Sequence, residues 1–193
     1  RQSGKMNQLL NQLFFFISLT LIIIPPCLGD QSIKKILRIG FFEEPGTLNP
    51  AFRTSTVEGY IHALLIRSLA HYNTHSDLTP HLSTTLPKFK KNTLEFEIKK
   101  NAQWGDGTAV TCVDFQTGFL ATEKFRKPKH PYVLNVEWSP DNLKKCRIEF
   151  NNPEPIYTLY MTQPLPTHLE KSIIENSKNE IEYLNKMIEA PDT

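Results

Sequence analysis

The chain has 193 residues, 22 lysines and arginines against 20 acids, 39% hydrophobic and 22% charged residues. That is one or two domains' worth of chain. The small net charge of +2 excludes a nucleic-acid binder working through a broad basic face, and the apolar content excludes a polar disordered tail. Three cysteines are too few for a disulfide scaffold and too scattered for a zinc module.

The first element is an apolar run of 12 residues from Leu13 to Ile24, shorter than the roughly 17–25 residues of a membrane-spanning helix. Pro25-Pro26 end it, and Cys27 and Gly29 place small residues at −3 and −1 of a cut before Asp30. Together these features predict a secretory signal peptide over residues 6–29, starting at Met6, with Arg1 to Lys5 upstream of it. The stretch from Met6 to Gln12 carries no Lys or Arg, so the amino terminus is its one positive charge. Cleavage fits better than lipidation at Cys27, because Pro25-Pro26 stand where a lipoprotein site takes small residues. Removing residues 1–29 leaves 164 residues and a net charge of zero. The spacing of Cys112 and Cys146 demands no bridge, although an exported protein would permit one, and two buried thiols are expected.

Beyond the cut, Ile36 to Phe42 is apolar nearly throughout, which predicts a strand covered on both faces. The Pro45-Gly46 and Asn49-Pro50 pairs predict a turn. A helix follows, with Val57, Ile61, Leu64, Leu65 and Leu69 spaced as one inward stripe, Thr54-Ser55-Thr56 as cap hydroxyls and Glu58 in the first turn. Tyr72 to Pro80 is expected to be a polar loop. Leu94 to Lys99 alternates as a half-exposed strand. Trp104-Gly105-Asp106-Gly107-Thr108 is a tight turn, and Thr111 with Asp114 suits a capped helix start, with Phe115, Phe119 and Leu120 facing inward. Lys124 to Pro131 is a basic loop. Val133 to Val136 and Cys146 to Phe150 predict strands, with Asn142 in a turn between them. Asn151 to Pro155 break the chain, Ile156 to Met161 start a short helix, and Leu169 to Met187 reads as one polar, exposed helix. The sequence holds no repeat.

Reactive chemistry is thin. Glu43 and Glu44 are adjacent in an extended segment and point opposite ways, which suits a solvated strand end. Asp106 and Asp114 have turn and cap duties. His71 and His75 have a helical metal spacing, but Asn73 and Thr74 between them argue for a loop, and no third ligand follows. Ser76-Asp77 near His75 and His81 lacks a nucleophile-elbow context. The glycines form no phosphate-cradling loop. These residues predict no catalytic residue, no metal site and no cofactor.

Several segments in order and spacing resemble one family: Leu37-Arg38-Ile39-Gly40, Thr47-Leu48-Asn49-Pro50, Leu69-Ala70-His71-Tyr72, Leu78-Thr79-Pro80-His81-Leu82-Ser83 and Leu94 to Ile98. The most specific runs from Ala102 to Phe115 and parallels the pattern k-x-W-x-D-G-T-P-V-T-A-x-D-F, with Ala109 in place of proline and Cys112 in place of alanine. Pro153 to Tyr157 and Leu165 to His168 continue it. These segments resemble the extracellular solute-binding proteins of the dipeptide/oligopeptide class (family 5) that serve ABC importers.

The resemblance covers about Ile36 to Lys171 and implies a mixed α/β, two-lobe periplasmic-binding-protein fold of which only a part is present. By that resemblance residues 30–58 begin lobe I, 59–163 form the family's extra small domain, and 164–193 return toward lobe I, the chain ending as an N-terminal fragment. It implies a non-catalytic, monomeric, periplasmic protein that binds peptides for import, with ABC permease subunits as partners and no nucleic acid. It also implies that Thr54, Ser55 and Thr56, which follow the Leu-Asn-Pro turn, border the cleft and pair their backbone with an extended peptide. Trp104, Asp106 and Gly107 are then structural. The alternatives are a secreted hydrolase using Asp106 with Glu43 or Glu44, and an inert remnant of a decayed gene. The solute itself (peptide, nickel complex, haem or sugar) is not fixed by the sequence.

Overall fold

A computed structural model describes residues 36–52, 55–126, 133–151 and 163–189. The signal peptide, the cap residue Thr54, and the break and short helix expected over residues 152–161 lie outside the described residues. The chain divides into a unit of residues 1–40 and a unit of residues 41–193. Of the first unit only residues 36–40 are described. They have no regular secondary structure, and Ile36 and Leu37 are 71% and 79% exposed.

The strand expected over Ile36–Phe42 is therefore not formed. Phe42, in the second unit, is 90% exposed as well. A strand that is apolar on both faces needs a neighbour on each side and a layer over each face. Among the described residues no strand pairs with this segment.

The second unit is built on a four-stranded antiparallel sheet and a helix laid across it. The strands are β3 (Lys88–Lys90), β4 (Thr93–Glu97), β5 (Val133–Ser139) and β6 (Asn142–Phe150), in the order β3-β4-β6-β5. A separate hairpin pairs β1 (Ala70–Tyr72) with β2 (Leu78–Pro80). The loop expected over Tyr72–Pro80 is thus shorter: its ends join a ladder in which Tyr72 faces Leu78, and Asn73 closes the turn by accepting the amides of His75 and Asp77 on its side-chain oxygen. Asx chemistry of this kind makes a turn look like a longer loop in sequence.

The alternations expected in β4 and β6 are present. Leu94 and Phe96 of β4, with Ile98 just beyond it, turn to the core together with Cys146, Ile148 and Phe150 of β6. The register sets Leu94 opposite Ile148 and Phe96 opposite Cys146. The strand expected at Val133–Val136 runs on to Ser139.

The helix across this face is α2 (Cys112–Phe125). Phe115 is buried against Phe96, ring centroids 5.1 Å apart, and Phe119 packs partly on the same core. Leu120 does not turn inward; it is 45% exposed, because α2 has only one face on the sheet. Its other face, with Ala121 and Phe125, meets a second core of Phe52, Leu165, Ile174 and Tyr183. The rings of Phe52, Phe125 and Tyr183 stand 5.1–6.2 Å apart in a triangle.

The C-terminal stretch is two helices where the sequence suggests one. α3 (Thr167–Asn176) and α4 (Glu180–Glu189) are separated by Ser177, Lys178 and Asn179. Asn179 accepts the amide of Glu182 on its side chain, a cap that restarts the helix. Nor is the pair wholly exposed: Glu170, Ile174 and Tyr183 are buried.

Cys112 and Cys146 are joined in a disulfide, not kept as two thiols. The bridge fastens the first residue of α2 to β6, deep in the core. Sequence spacing could not disclose it, since the 34-residue separation becomes a 5.5 Å Cα–Cα distance only when the helix lies on the sheet.

Candidate functional site

The Leu-Asn-Pro turn and the helix that follows it, α1 (Thr56–Leu65), form one fastened piece. Ser55 is extended (φ −120°, ψ 162°) and caps α1: its hydroxyl accepts the Glu58 amide and its own amide donates to the Glu58 carboxylate at 3.0 Å. The same carboxylate, fully buried, accepts the amides of Gly46 and Thr47 at 2.9 and 3.0 Å. One turn further along, His62 Nε2 lies 3.0 Å from the carbonyl of Leu48. A buried carboxylate meeting three amides loses less by desolvation than an unpartnered one. Glu58 therefore does more than favour the helix dipole; it clamps the preceding turn.

The stripe expected on α1 is only partly inward. Val57 is buried, but Leu64 and Leu65 are each 64% exposed. Leu69 is buried in the sheet core but lies beyond the helix end. Of the residues assigned by resemblance to the ligand, Ser55 is committed to the cap and Thr56 opens the helix as an exposed residue.

A second fastening joins this turn to the C-terminal helices. Asn49 donates through its side chain to Tyr183 Oη at 2.6 Å and to Glu170 at 3.3 Å. Tyr183 in turn donates to Glu170. Burial pushes the Glu170 carboxyl up from its ordinary value, and burial, then the Glu170 charge, raises the Tyr183 hydroxyl. No local pattern marks Tyr183 in the sequence. Asn49 is marked as a turn residue and by the resemblance, and neither points to Tyr183 or Glu170.

The specific Trp-to-Phe block resolves into a third junction. Asp114 accepts the Thr111 amide at 2.7 Å, the Trp104 indole N–H at 3.4 Å and the Thr167 amide at 2.9 Å. It therefore reaches back to cap α2, as the sequence suggests, and also holds the Trp turn and the start of α3. Within that turn Gly107 has φ +88°, where a side chain is strained. Asp106 accepts the Thr108 amide at 2.8 Å and meets His168 Nε2 at 2.5 Å. The Thr108 amide, then His168, hold the Asp106 carboxyl below the usual range. Lys144 is threaded to the carbonyls of Ala102 and Val110. The hydrolase alternative gains no support: Asp106 is occupied by a turn and a histidine, and Glu43 and Glu44 are solvent-facing.

Between α1, the β1–β2 hairpin and the far half of α2 lies a cleft of about 510 Å3. His71 and His81 line it with ring centroids 4.5 Å apart at an angle of 62°. His71 and His75 share no helix, and among the described residues no group of three or more His, Cys, Asp or Glu side chains could hold a metal ion. No described helix is long and apolar enough to cross a membrane.

No protein-family profile matches the chain. Curated relatives do. Over 148 residues it is 23% identical to the oligopeptide-binding protein OppA of Bacillus subtilis, 67% of this chain and 27% of that protein. Over 73 residues it is 30% identical to the periplasmic murein peptide-binding protein MppA of Escherichia coli, 38% of this chain and 14% of that one. Among solved structures, the pheromone receptor PrgZ superposes with a TM-score of 0.55 at 20% identity over 71% of this chain and 32% of its own. The E. coli murein tripeptide-binding protein MppA superposes with a TM-score of 0.53 at 21% identity over 70% and 31%.

The chain carries part of the oligopeptide-binding-protein fold.

The mixed α/β architecture and the resemblance read from the motifs thus stand together. The chain spans about a quarter of the length of the curated OppA it matches, and the proteins it resembles are binding proteins by name.

Proposed function

We propose that this chain is part of the substrate-binding component of an ABC importer and that the whole protein takes up peptides. The observation that carries the reading is the 148-residue match to an oligopeptide-binding protein, with the same class recovered from the fold. In this reading the chain works without catalysis, as a monomer, with a peptide and permease subunits as partners. It is exported by cleavage of residues 6–29. The Cys112–Cys146 bridge supports passage through an oxidising compartment.

The domain assignment follows the resemblance: residues 30–58 open lobe I, 59–163 are the extra domain, 164–193 return. Ligand pairing falls to the backbone of Thr54, Ser55 and Thr56. Its support is the exposed Thr56 at the helix start and the general lack of intrahelical acceptors for the first amides of a helix; the Ser55 amide itself is already held by Glu58. Closure of two lobes on the peptide would then shift the closed population that the permease reads.

Mass spectrometry of ligands co-purified with the protein translated from the full reading frame tests this. Mixed short peptides are expected. A metal chelate or a glycan as the retained ligand, or no retained ligand and no peptide binding on titration, overturns it.

A further inference from the structure

The Leu-Asn-Pro turn is held from two sides. On the side of α1, Glu58 takes the amides of Gly46, Thr47 and Ser55. On the other side stand Glu170 of α3 and Tyr183 of α4, 121 and 134 positions from Asn49 in sequence and both buried.

Every polar group of Asn49 is engaged. Its backbone amide donates to Thr47 Oγ1 at 3.0 Å, and its side-chain oxygen accepts the Ala51 amide at 3.0 Å. Its carbonyl accepts the Phe52 amide at 3.1 Å. The side-chain nitrogen alone reaches out of the turn, to Tyr183 Oη and Glu170. Phe52 ends the single 3-10 turn Pro50–Phe52 and sets its ring against the same tyrosine, centroids 5.4 Å apart. Tyr183 thus grips the turn twice, with its hydroxyl at Asn49 and its ring at Phe52.

Apolar side chains would fill this core as well, and a carboxyl is costly to dehydrate there. A satisfied buried polar network adds one defined geometry. The geometry defined here is that of Asn49, and so of the turn that leads into α1.

We propose that Asn49, Glu170 and Tyr183 are positioning residues for peptide binding. They act through the turn, setting where the exposed start of α1 at Thr56 meets an extended peptide. This inference rests on the transport reading and its assignment of ligand pairing to that backbone.

Asn49→Asp keeps the acceptor for the Ala51 amide and removes only the donor, setting a carboxylate oxygen against Glu170. Adding Glu170→Gln restores a donor and an acceptor across the same gap, with their directions reversed. The protein translated from the full reading frame is titrated calorimetrically at pH 8 with a random pentapeptide mixture. Asn49→Asp should weaken apparent binding by about tenfold or more. Amide exchange at Ala51 and Phe52 should quicken while that of β4 and β6 keeps its natural rate. The double variant should recover most of both. A natural protein that binds no peptide overturns the transport reading, and this inference with it. Where the natural protein binds, unchanged affinity in Asn49→Asp overturns this inference alone. So does a loss that Glu170→Gln does not reverse, or one matched by equally faster exchange in β4 and β6. If Asn49→Asp fails to fold, Tyr183→Phe decides, since it removes one hydroxyl and keeps the ring. Weaker binding with natural exchange in β4 and β6 then supports the role, and unchanged binding overturns it.

Discussion

Gly118 lies where α2 passes the backbone of Gln163. A Cβ built there meets the Gln163 carbonyl oxygen at 2.2 Å, and a backbone atom cannot swing aside as a side chain can. Gly118→Ala should therefore destabilise the fold by about 1–3 kcal/mol through overpacking, read as a lower urea midpoint. At Glu170 the reasoning runs through protons. Its folded carboxyl is raised from the ordinary 4.5 by burial. As pH climbs past that ordinary value, the unfolded chain ionises before the folded one does. The stability held at acid pH is then lost until the folded group also ionises. Glu170→Gln keeps an acceptor for Tyr183 and Asn49 and carries no proton equilibrium. The natural chain should lose melting temperature relative to this variant as pH rises above the ordinary carboxyl value of 4.5. Parallel curves would mean that the buried carboxyl is not what they report.

At the scale of elements, the fold depends on ties between segments far apart in sequence. Asp114 binds the Trp turn, α2 and α3 at once. Asp114→Asn puts an amide where an acceptor met three donors, so at least one N–H loses its partner; a loss of about 1–3 kcal/mol in chemical denaturation is expected. The disulfide acts on the unfolded chain instead. Closing 34 residues of separation removes loop entropy worth about 4 kcal/mol in the chain-entropy description. Reduction with a thiol should lower the melting temperature sharply. An unchanged melting curve would show that the bridge does not constrain the unfolded chain in this way.

Among the described residues, several large apolar side chains stay exposed outside the two cores. Leu64 and Leu65 stand out from α1, and Tyr60 and Leu48 are exposed as well. The double substitution Leu64→Ser with Leu65→Ser should reduce binding of a hydrophobic dye while leaving the unfolding free energy within about 1 kcal/mol, since exposed side chains contribute little to folding. A larger loss would show that these leucines are buried in solution.

Much of the fold was legible in the residues themselves. Period-2 alternation announced β4 and β6, because each strand buries one face and wets the other. Thr111 and Asp114 announced the start of α2, because a cap is a contact between residues three apart. The Trp104 to Thr108 run announced a tight turn, in which Gly107 takes a positive φ. The specific run from Trp104 to Phe115 carried the resemblance, and in the fold its buried Asp114 holds the indole, the Thr111 amide and the start of α3 together. What the sequence could not disclose were events between distant segments. The bridge of Cys112 to Cys146, the buried cluster of Asn49, Glu170 and Tyr183, the pairing of Asp106 with His168, and the meeting of His71 with His81 all join residues whose separation in sequence says nothing of their separation in space. Local periodicity also misled where it lacked a partner: Ile36 to Phe42 has the composition of a central strand, and Leu64 and Leu65 the spacing of a core stripe. Composition states only that a segment can be buried. Burial itself needs a second surface, and the tertiary structure alone decides whether one is there.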